Sequence, residues 1–410
     1  MDQEPLHLPD ENRCCRHSLP IVPQELVDAI IDHLHLDIQT LAACGLVCKS
    51  WVPSSRYHLF HVWEVNLWSR DNLFSDFTSL LEHPLCSFMP SIKEIVFIRY
   101  YRSSPWASWV ISRVSPWLLH LPISSLSLAS LDTGLSPNPW KAFSMLHPFT
   151  TRITTLRLYR VVFYSLYDIL YTISSFENLV TFEWFSNYTL SAQEHQRELT
   201  EFPKPPASLR VVDFQEWLPE CSHLFLWRWF LENKISSLQS IRLGHICEEY
   251  VPYVAELLRC LGPSLENLQI NLQNEIDILY FCNEIDLRHN TKLCTLNIDR
   301  LWAFRESPFG LAEHSFGLIP DFLARLPSES LKRIDFDIRD SSSDTIWENE
   351  RALRDIDQAL QSPKFASLQG VAFDTREPFI ESFLKRLLQE CNQRGILKFR
   401  SSHHGPFYKI

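Results

Sequence analysis

Residues 293–298 read Leu293-Cys294-Thr295-Leu296-Asn297-Ile298. The order is apolar, two free positions, apolar, one free position, apolar. The closing alternation marks a strand with one buried face. The same order recurs on both sides. Upstream it reads Leu265/Leu268/Ile270, Leu238/Ile241/Leu243, Leu209/Val212/Phe214, Leu179/Phe182/Trp184 and Ile153/Leu156/Leu158. Further upstream come Ile123/Leu126/Leu128, Ile92/Ile95/Phe97 and Val62/Val65/Leu67. Downstream lie Leu331/Ile334/Phe336 and Leu368/Val371/Phe373. Successive starts are 26 to 38 residues apart, a period that chance clustering would not hold over eleven units.

Amphipathic stretches of helical length separate the triplets, as at 164–176, 223–233, 250–261 and 379–391. Each unit is therefore a strand followed by a helix. One such unit cannot bury its own apolar face, so neighbours must stack. The expectation is an α/β solenoid over residues 62–400, parallel strands inside and helices outside, with a tail at 401–410. The array resembles the leucine-rich repeat. That family often places Asn or Cys three residues after the last apolar strand position. Asn187 fits, whereas Val161, Trp217, Ile246 and Leu301 do not, so the resemblance implies an irregular array. The rival architecture is a doubly wound sheet, which calls for glycines at strand ends and fewer strands. The chain has nine glycines and 25 prolines, and the prolines read as punctuation between elements.

In front of the array lies a different pattern. Pro23 suits a first helical turn, where its missing N–H costs nothing. Glu25 follows where the helix dipole favours an acid. Leu26, Ile30 and Leu34 are four residues apart, with Val27 and Ile31 beside them. Asp37 is a candidate N-cap for a helix from Ile38 that carries Leu41, Ala42 and Leu46. Gly45 sits inside that pattern, where it would let two helices approach. Lys49-Ser50-Trp51 leads to a third helix through Leu59 and Phe60. Three short helices cannot bury all this apolar surface alone. They must meet either a partner or the rest of the chain, as a cap on the array.

The order Val22-Pro23-x-Glu25-Leu26, then Ile30-Ile31-x-x-Leu34, then Leu46-Val47-Cys48-Lys49-x-Trp51, resembles an F-box, about 40 residues that dock a protein onto a Skp-family adaptor. The resemblance covers residues 19–61, behind a polar tail at 1–18. An extra Leu19-Pro20 lies ahead of the motif. The resemblance implies that Pro23, Leu26, Ile30, Ile31, Leu34, Leu41, Leu46 and Val47 bind the adaptor, and through it a cullin scaffold. Trp51 would tie the module together. Taken with the repeats, the chain is similar in style to expanded F-box families of basidiomycete fungi. The implied function is a substrate receptor of an SCF-type ubiquitin ligase. The alternative is a non-catalytic repeat scaffold or inhibitor whose front helices only cap the solenoid.

The totals narrow the classes. The 410 residues are 45% hydrophobic and 13% aromatic, too apolar for disorder. Net charge is −11, with no lysine- or arginine-rich run, which argues against nucleic acid and anionic membranes as partners. Eleven cysteines, an odd number and scattered, point to a reducing cytoplasmic or nuclear interior. The uncharged stretch 114–131 holds Pro116, His120 and Pro122, unlike a membrane span. The 1–17 segment lacks the apolar core of a signal peptide. Without a secretory route, the sequon Asn187-Tyr188-Thr189 reads as chance.

No constellation for catalysis, metal or cofactor is legible. Cys44 and Cys48 are one helical turn apart but lack a partner pair, so they read as small apolar residues. His403-His404 reads as a bland terminal pair, and Glu248-Glu249 as solvated charge. Trp227, Trp229 and Phe230 read as core, with a partner anchor as the sharper option. Residues 194–206 and 341–344 look like surface insertions.

The free positions of the strands should line the inner face: Arg157, Tyr159, Glu183, Phe185, Asp213, Gln215 and Arg242 in the middle, then Asn297, Asp299, Asp335, Asp337 and Asp374. The C-terminal part looks acidic, which favours a basic protein target by complementary fields. Arg157, Tyr159, Asp299, Asp335, Asp337 and Asp374 are the candidate target-binding residues. An ordinary solvated face of an acidic protein is the other reading.

Overall fold

A computed structural model describes residues 22–66, 77, 79–84, 86–98, 119–131, 147–161, 163, 165–185, 202–214, 220–246, 248–272, 275–299, 315–326, 329–338, 349–375 and 378–400. The expected tails at 1–18 and 401–410, with His403 and His404, lie outside these residues. So do the segment 341–344, most of 194–206, the sequon, Gln215, Trp217 and Leu301. The chain divides into two compact units, Met1–His61 and Val62–Ile410.

Among the described residues of the first unit are three helices: α1 (Gln24–His33), α2 (Ile38–Val47) and α3 (Val52–Phe60). Pro23 is the N-cap of α1. The Asp37 carboxylate caps α2, accepting from the Thr40 N–H at 3.0 Å and from its hydroxyl at 2.6 Å. Those bonds hold the Asp37 carboxyl below the usual carboxylate range. Val27, Ile31 and Leu41 form the core of this unit, with Leu34, Trp51 and Leu59 packed against it. Polar ties join α1 to α3, from Ser54 to Asp28 and from His58 Nε2 to Asp32 at 2.7 Å.

Among the described residues the second unit holds one sheet of twelve strands, all parallel and in chain order. They are β1 (Val62–Asn66), β2 (Glu94–Ile98), β3 (Ser125–Ala129), β4 (Thr155–Tyr159), β5 (Thr181–Phe185) and β6 (Val211–Phe214). Then come β7 (Ser240–His245), β8 (Asn267–Asn271), β9 (Thr295–Asp299), β10 (Arg333–Asp337), β11 (Gly370–Asp374) and β12 (Leu397–Arg400). The described helices between strands are α4 (His147–Thr150), α5 (Leu166–Ser174), α6 (Glu220–Glu232), α7 (Val251–Leu261), α8 (Glu275–Glu284), α9 (Ser315–Ala324), α10 (Glu350–Ala359), α11 (Pro378–Leu387) and α12 (Gln389–Gln393). None is long and apolar enough to cross a membrane.

One continuous core joins strand residues such as Leu156, Leu158, Leu296 and Ile298 to helix residues such as Ile169, Leu170, Leu257 and Leu258. The alternation therefore sends one set of side chains to the helices and the other to the opposite face, which is partly open at β4, β5, β9 and β10 but buried at β2 and β3, where Val96, Ile98 and Ala129 cluster with Tyr159 against them. Trp227, Trp229 and Phe230 lie in this core, almost fully buried. The array reads as expected with two corrections. In β1 the inward pair is Trp63 and Val65, while Val62 is exposed. The Val62/Val65/Leu67 reading was thus two residues late; a shift of two preserves the alternation, so pattern alone cannot choose between the two phases. The twelfth strand, β12, was not among the triplets, because Arg394 stands where the first apolar residue belongs.

The repeat is held by a recurrent strand entry. Two successive N–H groups donate to one carbonyl of the preceding unit, as Cys294 and Thr295 do to Glu266 at 2.7 and 3.1 Å. The expected Asn positions Val161 and Ile246 are buried apolar residues. A serine ladder ties the units instead. Ser208, Ser237, Ser330 and Ser367, each just before the first apolar residue of a triplet, donate to Leu179, Leu209, Leu293 and Leu331 carbonyls at 2.8, 2.8, 3.1 and 3.2 Å.

Candidate functional site

Two surfaces could carry function, and each belongs to one unit. On the first unit, burying Ile31 and Leu41 is what holds α1 against its neighbours, so these two support the surface rather than line it. Leu34 packs beside them. The remaining candidates point outward: Leu26 is 56% exposed, Ile30 52%, Leu46 88% and Val47 61%. Pro23 is exposed at the start of α1. Val22 and Ile38, which the pattern named without making them adaptor contacts, and Leu36, which it passed over, are exposed as well. Their signal was available, since each is a large apolar residue beside a helix end. Cys44 is buried and Cys48 exposed, so the two thiols do not share an environment. A serine beside Cys48, 3.1 Å away, holds its thiol below the ordinary range. Among the described residues no group of three His, Cys, Asp or Glu could hold a metal ion.

On the second unit, the candidates at the free strand positions share the open face. Arg157 donates from Nε to Glu183 at 2.9 Å and from Nη1 to Glu94 and Ser125, both at 3.0 Å. Ser127 also donates to Glu94, at 2.7 Å. Burial works against the Arg157 charge, yet Glu183 and Glu94 hold its guanidinium above the ordinary value. Tyr159 stacks on Phe185 with ring centres 4.5 Å apart, and burial beside Glu183 pushes its hydroxyl pKa up.

Towards β9 a second arginine is placed similarly. Arg242 contacts Asp213 at 3.4 Å and Asp299 at 3.2 Å, and Gln269 donates to Asp299 at 2.5 Å. A recess of about 140 Å³ opens among Asp213, Ser240, Arg242, Gln269, Thr295 and Asn297. Further along, Asp335 pairs with Arg333 at 2.6 Å and with Arg400 at 3.3 Å. Burial pushes its carboxyl up, Arg333 opposes, and Asp299 and Asp374 add to the rise. Asp337 and Asp374 are register partners on β10 and β11.

The open face is thus not a bare acidic field. Arg333 and Arg400 stand among its C-terminal carboxylates, which sequence reading had left out because it counted the acids alone. Partly buried arginine–carboxylate pairs are strong when both ends are hydrogen-bonded.

No family model and no curated protein matches the chain. Among solved structures, a Bacteroides fragilis protein from a structural-genomics consortium aligns at 14% identity over 68% of this chain and 67% of its own, with a TM-score of 0.38. The Rad7 and Elc1 complex from yeast aligns at 12% identity over 87% of this chain and 90% of the matched chain, with a TM-score of 0.31.

Proposed function

We propose that this chain is the substrate-recognition subunit of an SCF-type cullin-RING ubiquitin ligase. The first unit docks on a Skp-family adaptor, and through it on a cullin scaffold. The open face of the solenoid holds a target protein. The work is done by proximity: a separate enzyme transfers ubiquitin to a target held near it, and no residue of this chain reacts. A cytoplasmic or nuclear setting goes with that role.

One observation carries the reading. The first unit builds its own core from Val27, Ile31 and Leu41 and still leaves Leu26, Ile30, Leu46 and Val47 exposed on α1 and α2. An apolar set of this size outside a small unit's core is the kind of surface that a partner covers.

Binding of purified Skp-family adaptor to the full chain tests it, by calorimetry. The intact chain binds, and the Ile30→Asp, Leu46→Asp double variant loses binding while its far-ultraviolet circular dichroism is unchanged. Both positions are exposed, so neither change disturbs the core. Truncating Leu26 to alanine costs roughly 1–3 kcal/mol of adaptor binding if it is a central anchor. A folded intact chain that ignores the adaptor would leave a repeat scaffold with a helical cap.

A further inference from the structure

The sheet ends at β12, and among the described residues no strand lies beyond it. On the β11 side, the Val371 and Thr375 N–H groups donate to the Ile396 and Arg400 carbonyls at 2.8 and 3.2 Å. The N–H and C=O of one strand residue point the same way, and successive residues alternate. Leu397 and Phe399 therefore turn both of their backbone groups away from β11, to the unpaired side. An edge of this kind is a template for another strand. The inner face is unfinished at the same place. Val371 and Phe373 on β11 are almost fully buried, whereas their register partners Leu397 and Phe399 are only partly buried.

Charge sets this end of the array apart. From Pro378 to Arg400 there are five basic and two acidic residues, in a chain with 38 basic and 49 acidic. Lys398 and Arg400 are exposed, on the side of β12 away from Leu397 and Phe399. Arg400 reaches Asp335 at 3.3 Å, but the Lys398 amine rests over Gly370 rather than on a carboxylate. Lys385 of α11 adds a cation on the inner side, its amine 5.2 Å from the Phe399 ring centre.

These features choose the occupant. A second copy of β12 laid along the edge would set Lys398 and Arg400 among like charges, which disfavours pairing between copies. An extended segment with acids at alternate positions meets the opposite situation. Its carboxylates lie one strand spacing, about 4.8 Å, from Lys398 and Arg400. Its intervening apolar residues continue the row of Leu397 and Phe399 and complete the inner face.

We propose that the free edge of β12 takes up an extended polypeptide segment of alternating apolar and acidic residues as a further strand of the sheet. Main-chain bonds to Leu397 and Phe399 supply affinity, and the alternation supplies specificity. The surface is the edge of the sheet rather than its open face, so the assignment goes beyond the receptor reading and does not depend on it.

The test uses the full chain and a fluorescein-labelled peptide of alternating valine and glutamate with blocked ends, followed by fluorescence anisotropy. One control peptide carries lysine for every glutamate, and another is methylated on every backbone nitrogen. The glutamate peptide binds saturably and at least tenfold more tightly than either control. Lys398→Glu, a change at an exposed residue, weakens it tenfold or more. Leu397→Pro, which removes an N–H on the unpaired side and leaves the β11 bonds in place, weakens it as well. The melting curve checks the fold of both variants. No binding of the glutamate peptide, equal binding of the lysine or methylated control, or an unchanged affinity in folded Lys398→Glu would overturn the assignment. Adaptor binding is measured separately, so failure of the edge and failure of the receptor reading are distinguishable.

Discussion

At the scale of single residues, the polar groups explain most of the regularity that the apolar pattern does not. Ser237 is representative: its hydroxyl donates to the Leu209 carbonyl of the preceding unit. Replacing it with alanine leaves that carbonyl with the longer Arg210 contact at 3.3 Å, and stability should fall by about 0.5–1.5 kcal/mol in urea denaturation. Asn290 carries more. It is fully buried and donates to the Leu258 and Gly262 carbonyls at the end of α7. Asn290→Ala is expected to cost about 1–3 kcal/mol by the same measurement. Glu183 gives a pH signature. Its folded-state carboxyl titrates above the ordinary value, so the folded chain holds that proton at pH values where the unfolded chain has lost it. The contribution of Glu183 to stability therefore falls as pH rises from the ordinary glutamate range, near pH ~4.3, through the raised one. Glu183→Gln should flatten that fall in denaturation curves collected across the window. The serine positions were legible, since Ser208, Ser237, Ser330 and Ser367 each precede the first apolar residue of a triplet. They went unread because the familiar ladder is made by asparagine on the other side of the strand.

Elements follow the sequence closely where the local signal is strong. Asp37 was expected to cap α2 and does so. Asp37→Ala should cost about 1 kcal/mol of helix stability, and the Thr40 amide should exchange faster with solvent. Exchange at Thr40 that does not change would place the cap elsewhere. Gly45 behaves differently from its sequence reading. A Cβ there would sit 3.7 Å from the Ser55 Cβ, an ordinary contact, so close helix approach does not require glycine. Gly262 is a true requirement: it ends α7 with φ +47°, a backbone angle that side chains disfavour. Ser130 and Arg160 also have positive φ, +54° and +53°, directly after β3 and β4, where their N–H groups extend the ladder to Tyr159 and Phe185. No glycine marks those turns, which is why composition alone did not reveal them.

At the scale of the whole molecule, the solenoid is a chain of nearest neighbours, and its stability should be graded along it. Native-state hydrogen exchange should be slowest in the middle strands and fastest in β12, whose Leu397 and Phe399 are only partly buried. Leu296→Ala, at a fully buried position in β9, is expected to cost about 2–5 kcal/mol, and Leu397→Ala clearly less. A strand-and-helix array, its parallel order and the three front helices were readable from residue spacing, because one buried face per element imposes a period on the chain. Which apolar residues are spent inside was not readable. Ile31 and Ile30 are equally hydrophobic, yet the first fills a core and the second faces outward, and only packing against α2 and α3 separates them. The charge of the open face was likewise hidden. Arg242 meets Asp299 across 57 positions of chain, and Arg400 meets Asp335 across 65. Such pairs form only when parallel strands stack in register, so distant residues share one surface and the carboxylates acquire their arginines.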